Sequence, residues 1–156
     1  MNYQLLGLEP RLFESLFDLD EPALASRGMR RVRVDAPVGY PCRISLEDAP
    51  IGEEVLLLPF THQDSRSPYR ASGPIFVRRG QRAAARVVGA LPPYLTRRPL
   101  SVRAYDAADE MVDAEVADGS DAESLIRRYL ARDDVSYLHI HFARRGCYAC
   151  RIDRIS

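Results

Sequence analysis

The alternation of apolar and polar positions is strongest near the end of the chain, where it predicts a β-hairpin. Leu138, Ile140 and Phe142 are each separated by one polar or aromatic residue, and a second alternation starts at Cys147. This period of two is typical of strands. Residues 144–146 between the two runs predict a three-residue loop, a type I turn followed by a G1 bulge with the final glycine in the left-handed conformation.

The length of that loop sets the register, which decides which side chains share a face. A three-residue loop pairs Phe142 with Tyr148 and Ile140 with Cys150, and this apolar face is expected to lie in the core. The opposite face then carries His139, His141, Cys147, Ala149, Arg151 and Asp153. A four-residue loop is rejected, because it would shift the pairing by one residue and bury Arg151.

The same register bears on the CxxC spacing of Cys147 and Cys150. Residues three apart in a strand point to opposite faces, so these two thiols are not expected to share a metal ion. Cys150 is expected to be a small core residue.

Patterns elsewhere in the chain predict the fold class. Residues 54–58 read EVLLL without alternation, as in a central strand covered on both faces. Cys42, Ile44 and Leu46 are expected to point inward from another strand, with Arg43 outward. Further alternating runs at 30–35, 100–105 and 111–117 and apolar stripes after residues 10 and 120 predict strands and helices. We therefore expect a single α+β domain over residues 1–156, a mainly antiparallel sheet with two or three helices packed on it that ends in a β-hairpin.

Composition narrows the possible partners. The net charge is zero, which gives no reason to expect binding to nucleic acid or to an anionic membrane surface. The three cysteines cannot form a closed disulfide framework, and neither a signal peptide nor a membrane span is evident. These features predict a cytoplasmic protein.

The polar face of the hairpin is the first candidate site. His139 and His141 would lie about 6.6 Å apart along one strand, a spacing that suits paired acid and base roles or two metal ligands. His62 lies in the segment THQDSRSPYRASGP, residues 61–74, which has no periodicity and predicts a long functional connection. It is the third candidate catalytic residue. The further candidates for substrate binding are Arg151, Asp153, Cys147 and Tyr69.

Two classes of function follow from these residues. The first is a small-molecule or anion site, enzymatic if the histidines act as acid and base or hold a metal; zinc is then the candidate cofactor, with His139 and His141 as its ligands. The second is a non-catalytic interaction or assembly module, in which the histidine face covers a partner or a second copy of the chain. A third hypothesis is that Cys147 is a reactive thiol, favoured by the positive charge of Arg144 and Arg145 nearby. The sequence alone leaves enzyme activity, a homo-oligomer and metal binding open.

Three stretches resemble the bacterial family catalogued as domain of unknown function 1203. They are YPCRISLEDAPIGEEVLLLPFTHQ with SPYRASGPIFV, LSVRAYDAADEMVDA, and YLHIHFARRGCYACRIDR. The family pattern often has asparagine at the positions of Pro59 and Phe142. The resemblance implies no activity or cofactor, but it implies that one set of residues belongs to the family's pattern: His62, Tyr69, His139, His141, Gly146, Cys147 and Tyr148.

Overall fold

A computed structural model describes residues 2–156, and strands are its commonest regular structure. The strands are β1 (Asn2–Leu6), β2 (Arg30–Arg33), β3 (Pro41–Cys42), β4 (Glu47–Asp48), β5 (Glu54–Gln63), β6 (Ala71–Arg78), β7 (Arg86–Val88), β8 (Pro99–Tyr105), β9 (Met111–Asp118), β10 (Tyr137–Phe142) and β11 (Tyr148–Ile155). The helices are α1 (Glu21–Ser26), α2 (Pro93–Thr96) and α3 (Ala122–Leu130), and short 3-10 turns cover Pro10–Leu12, Glu14–Asp18 and Gly119–Asp121.

The strands form two sheets. Sheet 1 has six strands in the order β7-β1-β11-β10-β8-β9, and sheet 2 has five in the order β2-β5-β6-β3-β4. All pairings are antiparallel except the one between β3 and β6. The predicted α+β class, with mainly antiparallel strands, three helices and a terminal hairpin, is confirmed. The strands are divided between two sheets, however, where the sequence pattern suggested one.

Strand β10 is buried along its whole length because sheet 1 is covered on both faces. On one face Leu138 and Ile140 share a core with the apolar stripe of α3, which is Ala122, Leu125, Ile126, Tyr129 and Leu130. On the other face His139 and His141 point towards β5 of sheet 2. The alternation seen in the sequence therefore separates two buried environments and not a core from solvent.

The predicted long connection is shorter than expected. Strand β5 continues to Gln63 and β6 begins at Ala71, so that only residues 64–70 lie between them. His62 therefore lies in a strand, at an irregularity between Thr61 and Gln63, both of which pair with β6. The prediction that β5 is central is confirmed, because it pairs with β2 on one edge and β6 on the other. No helix in residues 2–156 is long and apolar enough to cross a membrane.

Gly7 is the point where sheet 1 meets the segment after β3. Its N–H donates to the carbonyl of Ala85 at 2.8 Å, and the next residue, Leu8, donates to the carbonyl of Arg43 at 2.8 Å. A Cβ atom at Gly7 would lie 2.1 Å from the carbonyl oxygen of Ile44. Only glycine permits this approach of two backbones.

We expect Gly7→Ala to lower the free energy of unfolding by about 3 kcal/mol or more, because the backbones must separate and lose these hydrogen bonds. Urea denaturation followed by circular dichroism measures this. The matched control is Gly73→Ala, where a Cβ meets nothing within 4 Å. A Gly7→Ala protein as stable as Gly73→Ala would contradict the close approach.

Candidate functional site

The terminal hairpin turns through four residues and not three. The N–H of Phe142 donates to the carbonyl of Cys147 at 2.9 Å, and the N–H of Gly146 donates to the carbonyl of Phe142 at 2.7 Å. Gly146 has the predicted left-handed conformation, with φ of 79°. His141 pairs with Tyr148 while Ile140 pairs with Cys150, so Ala149 is an extra residue, a β-bulge.

A four-residue loop alone would shift the pairing of the two strands by one residue. The extra residue in the bulge shifts the pairing back. Beyond it, His139 pairs with Arg151 and Leu138 with Ile152, as predicted. Only the end near the turn is different. The predicted pairing of Phe142 with Tyr148 is therefore wrong, although the pairing of the rest of the hairpin is confirmed.

The bulge is stabilised by two side chains that are distant in sequence. The hydroxyl of Tyr94 donates to the carbonyl of Ala149 at 2.9 Å, and Nε of Arg43 donates to the carbonyl of Tyr148 at 2.8 Å. Residues in a bulge lose regular ladder partners, and buried carbonyls without a partner are costly. These two donors supply the missing bonds.

The corrected register exchanges two side chains between the faces of the hairpin. Tyr148 lies on the histidine face, where its ring is within 5.9 Å of His141, centroid to centroid. Cys147 lies on the side of Phe142 and packs against the same core as Cys150. The predictions that Cys147 shares the histidine face and that the two thiols lie on opposite faces are wrong, and the bulge is the reason. Cys150 is fully buried, as predicted.

The three histidines of the chain meet between the two sheets. The ring centroid of His62 is 4.8 Å from that of His141 and 6.3 Å from that of His139, while those of His139 and His141 are 6.5 Å apart. Tyr148 stacks on His62 with an interplanar angle of 10°. We call these three histidines the histidine cluster. None of them lines the pocket described below.

Burial makes the histidine cluster neutral. It lowers the pKa of His139 to about 3, with a further contribution from His141, and lowers the pKa of His141 to about 3 as well. The pKa of His62 is also lowered, by burial and by the charge of Arg103. Desolvation disfavours the charged imidazolium, which explains the common direction.

Each histidine has a ring nitrogen with no hydrogen-bond partner in the described part of the chain: Nδ1 of His62, Nδ1 of His139 and Nε2 of His141. The other nitrogen of His141, Nδ1, lies 2.9 Å from the carbonyl of Gly146. A carbonyl only accepts, so this Nδ1 carries the proton and Nε2 is an acceptor. Over residues 2–156, however, no group of three or more His, Cys, Asp or Glu residues is arranged to hold a metal ion. A zinc site here would require these side chains to reorient.

Of the other predicted site residues, Arg151 lies opposite His139 in the hairpin. Arg151 forms an ion pair with Asp153 at 2.9 Å, and its guanidinium lies 4.0 Å from the ring centroid of Tyr137. Tyr69 is exposed and contacts the edge of Tyr105 at 6.5 Å. Arg151 and Asp153 therefore bind each other in this conformation.

Arg43 is a candidate site residue that the sequence pattern missed. It was expected to point outward, but only 1% of its surface is exposed. Besides its bond to Tyr148, its Nη1 donates to the carbonyl of Pro41 at 2.6 Å and its Nη2 donates to Sγ of Cys147 at 3.1 Å. Within residues 2–156 none of these acceptors is a carboxylate. Arg43 follows a two-residue strand that is too short for alternation to report a direction.

Arg43 and Cys147 line a pocket of about 490 Å³ at the junction of the two sheets. We call it the arginine pocket. Its lining residues are Val38, Gly39, Pro41, Arg43, Leu57, Pro74, Phe76, Arg97, Arg98, Pro99, Phe142, Arg144, Arg145 and Cys147. Five of them are arginines and none is acidic. Asp48, outside the lining, forms ion pairs with Arg97 and Arg98. One carboxylate against five guanidinium groups leaves the pocket strongly positive.

The fold and these sites define an α+β domain with two facing sheets and a basic pocket between them. The sequence profile of the family described as "Protein of unknown function (DUF1203)" matches residues 39–154 of the chain. The chain belongs to this family, as the resemblance indicated. No curated protein and no solved structure matches it. The match extends over Arg43, Cys147 and all three histidines.

We expect Tyr94→Phe to lower the free energy of unfolding by about 1–3 kcal/mol, because the buried carbonyl of Ala149 loses its donor. Urea denaturation measures the change. Tyr40→Phe is the matched control, since its hydroxyl donates to Asp35 at an exposed site. Equal stability of Tyr94→Phe and the unchanged protein would contradict the proposed role of this hydroxyl at the bulge.

The histidine cluster predicts a loss of stability in mild acid. In the unfolded chain these residues bind protons at about pH 6.5, whereas in the folded protein His139 and His141 do so only near pH 3. The unfolded state therefore binds more protons between these values. Stability is fully present above pH 6.5 and falls as the pH is lowered, by about 2 kcal/mol for each of the two histidines between pH 7 and pH 5.

Urea denaturation at pH 7, 6 and 5 measures this loss, which is expected to be about 4 kcal/mol in total. In His139→Phe, which fills the space without titrating, the loss is expected to fall to roughly half. Stability that stays constant from pH 7 to pH 5 would show that the cluster is not buried in the neutral form.

Proposed function

We propose that this domain binds a small organic anion in the arginine pocket, with Arg43 as the central recognition residue. The observation that carries the proposal is a fully buried guanidinium that lines a pocket and has no carboxylate partner among residues 2–156. A buried charge without a counter-ion is costly, and a bound anion would remove that cost.

The hydrogen bonds of Arg43 leave room for such an anion. A guanidinium has five N–H donors, and three of them are used by Pro41, Tyr148 and Cys147. One N–H on Nη1 and one on Nη2 remain. These donors lie on the two neighbouring terminal nitrogens, which together can bind a carboxylate or a phosphate group in bidentate fashion.

The rim adds charge at the entrance. Arg144 and Arg145 lie in the exposed turn of the hairpin, and neither forms an ion pair with any described residue. Positive groups around a concave surface attract anions and raise their local concentration. The rim therefore favours entry of anions, while Arg43 at depth fixes their orientation.

The apolar residues that line the arginine pocket indicate the chemistry of the uncharged part of the ligand. Leu57, Phe76 and Phe142 contribute apolar surface, and Pro41, Pro74 and Pro99 add rigid apolar edges. Binding sites of this size combine apolar walls with a few polar anchors. We infer that the ligand has an apolar or aromatic body and one carboxylate or phosphate group.

Titration calorimetry with phenyl phosphate and with inorganic phosphate tests the proposal. We expect both to bind, and phenyl phosphate to bind more tightly because its ring meets the apolar walls. We expect the double variant Arg144→Gln/Arg145→Gln to bind phenyl phosphate about tenfold more weakly, and Arg43→Lys, which keeps the charge but loses the planar donors, to bind at least tenfold more weakly.

Arg66→Gln is the control for charge alone, because Arg66 is exposed and does not line the pocket. It is expected to bind phenyl phosphate as the unchanged protein does. The double variant Arg144→Gln/Arg145→Gln, here called the rim variant, tests the proposal even if Arg43→Lys does not fold, because both of its positions are exposed. The proposal fails if phenyl phosphate does not bind, or if the rim variant binds it equally well.

A further inference from the structure

We propose that Cys147 is a nucleophile in the arginine pocket and that its substrate is an organic anion with an electrophilic carbon near the anionic group. This inference rests on the proposed anion site, since Arg43 serves both. It adds a chemical step that binding alone does not imply.

Cys147 is the one thiol that a reagent in solvent can reach. All three cysteines are free, but Cys42 and Cys150 have no exposed surface. Sγ of Cys42 accepts backbone N–H groups from Ser45 at 3.5 Å and Arg78 at 3.3 Å, and burial raises the pKa of the Cys150 thiol. Cys147 is partly exposed and lines the pocket.

The contact with Arg43 assigns a role to the sulfur. A guanidinium has donors only, so Sγ of Cys147 must be the acceptor in the 3.1 Å bond from Nη2 of Arg43. The bond from this charged donor fixes the sulfur at the wall of the pocket, and the thiolate is the reactive form of cysteine. The lining includes no carboxylate that would compete for this guanidinium.

Nη2 of Arg43, which bonds to the sulfur, would also position the substrate. Nη2 of Arg43 holds the sulfur with one N–H and has a second N–H without an acceptor in the described structure. Two acceptors on one nitrogen, each at ordinary hydrogen-bond length, lie within about 5 Å of each other. An oxyanion bound there lies next to the sulfur, and a carbon one or two bonds from that oxyanion comes within reach of attack.

The step is a substitution at carbon. The sulfur lone pair forms the S–C bond, the thiol proton is lost to solvent, and the leaving group departs with the electrons of the bond that breaks. With iodoacetate as the probe, the bond that breaks is C–I and iodide leaves. Iodoacetamide undergoes the same step but has no charge, so the two reagents separate thiol reactivity from anion recognition.

The test compares the alkylation rates of Cys147 and of glutathione at pH 7, with the modified peptide identified by mass spectrometry. We expect Cys147 to react with iodoacetamide about tenfold faster than glutathione. We also expect the ratio of the iodoacetate rate to the iodoacetamide rate to be about tenfold higher at Cys147 than for glutathione. The Cys147→Ser variant should show no labelling.

The variants of the calorimetric test also apply here. Arg144→Gln/Arg145→Gln should lower the iodoacetate rate about tenfold and change the iodoacetamide rate much less, whereas Arg66→Gln should change neither. If iodoacetamide reacts no faster than with glutathione, Cys147 is not a nucleophile, even where phenyl phosphate binds. If iodoacetamide reacts quickly but the ratio of the iodoacetate rate to the iodoacetamide rate equals that of glutathione, the substrate of Cys147 is not an anion. If phenyl phosphate also fails to bind in the calorimetric test, the anion site itself is wrong.

Discussion

The guanidinium of Arg43 is the interaction on which the arrangement of the two sheets and the pocket depends. Arg43 directly follows β3 of sheet 2, and its guanidinium donates hydrogen bonds to both Cys147 and Tyr148 near the turn of the hairpin in sheet 1. Its other bond, to Pro41, holds it against its own strand. Folding must bury this charge without help from a carboxylate of residues 2–156, which costs stability. Such a group is better explained by a role in recognition than by a gain in stability.

The interface between the sheets has two regions, one positively charged and one neutral. Near the turn, the arginine pocket collects positive charge around Cys147. Deeper in, the histidine cluster stays uncharged because burial lowers the pKa of its members. Tyr148 connects the two regions: its carbonyl accepts from Arg43 and its ring stacks on His62. A neutral cluster beside a charged pocket lets the fold hold several arginines without adding further cations to the same interior.

Sequence reasoning predicted the fold class, the core face of β10 and the common face of His139 and His141, because these depend on local alternation. It failed at Ala149. A bulge there depends on donors from Tyr94 and Arg43, which lie about 55 and 105 residues away in sequence. The sequence of the hairpin contains no sign of these distant donors, so alternation alone favoured the three-residue loop. Arg43 was missed for a similar reason, since its burial follows from the packing of two sheets and not from the pattern of one strand.

We propose that Arg43 is a buried cation whose free donors receive an anion. Nitrogen-15 NMR of the arginine side chains during a titration with phenyl phosphate tests it most directly, because each guanidinium has its own resonance and the Arg43→Lys spectrum identifies the one in question. We expect a large, saturable shift of the Arg43 side-chain resonance with the same midpoint as the calorimetric binding. An Arg43 resonance that stays unchanged while only Arg144 and Arg145 shift would contradict it.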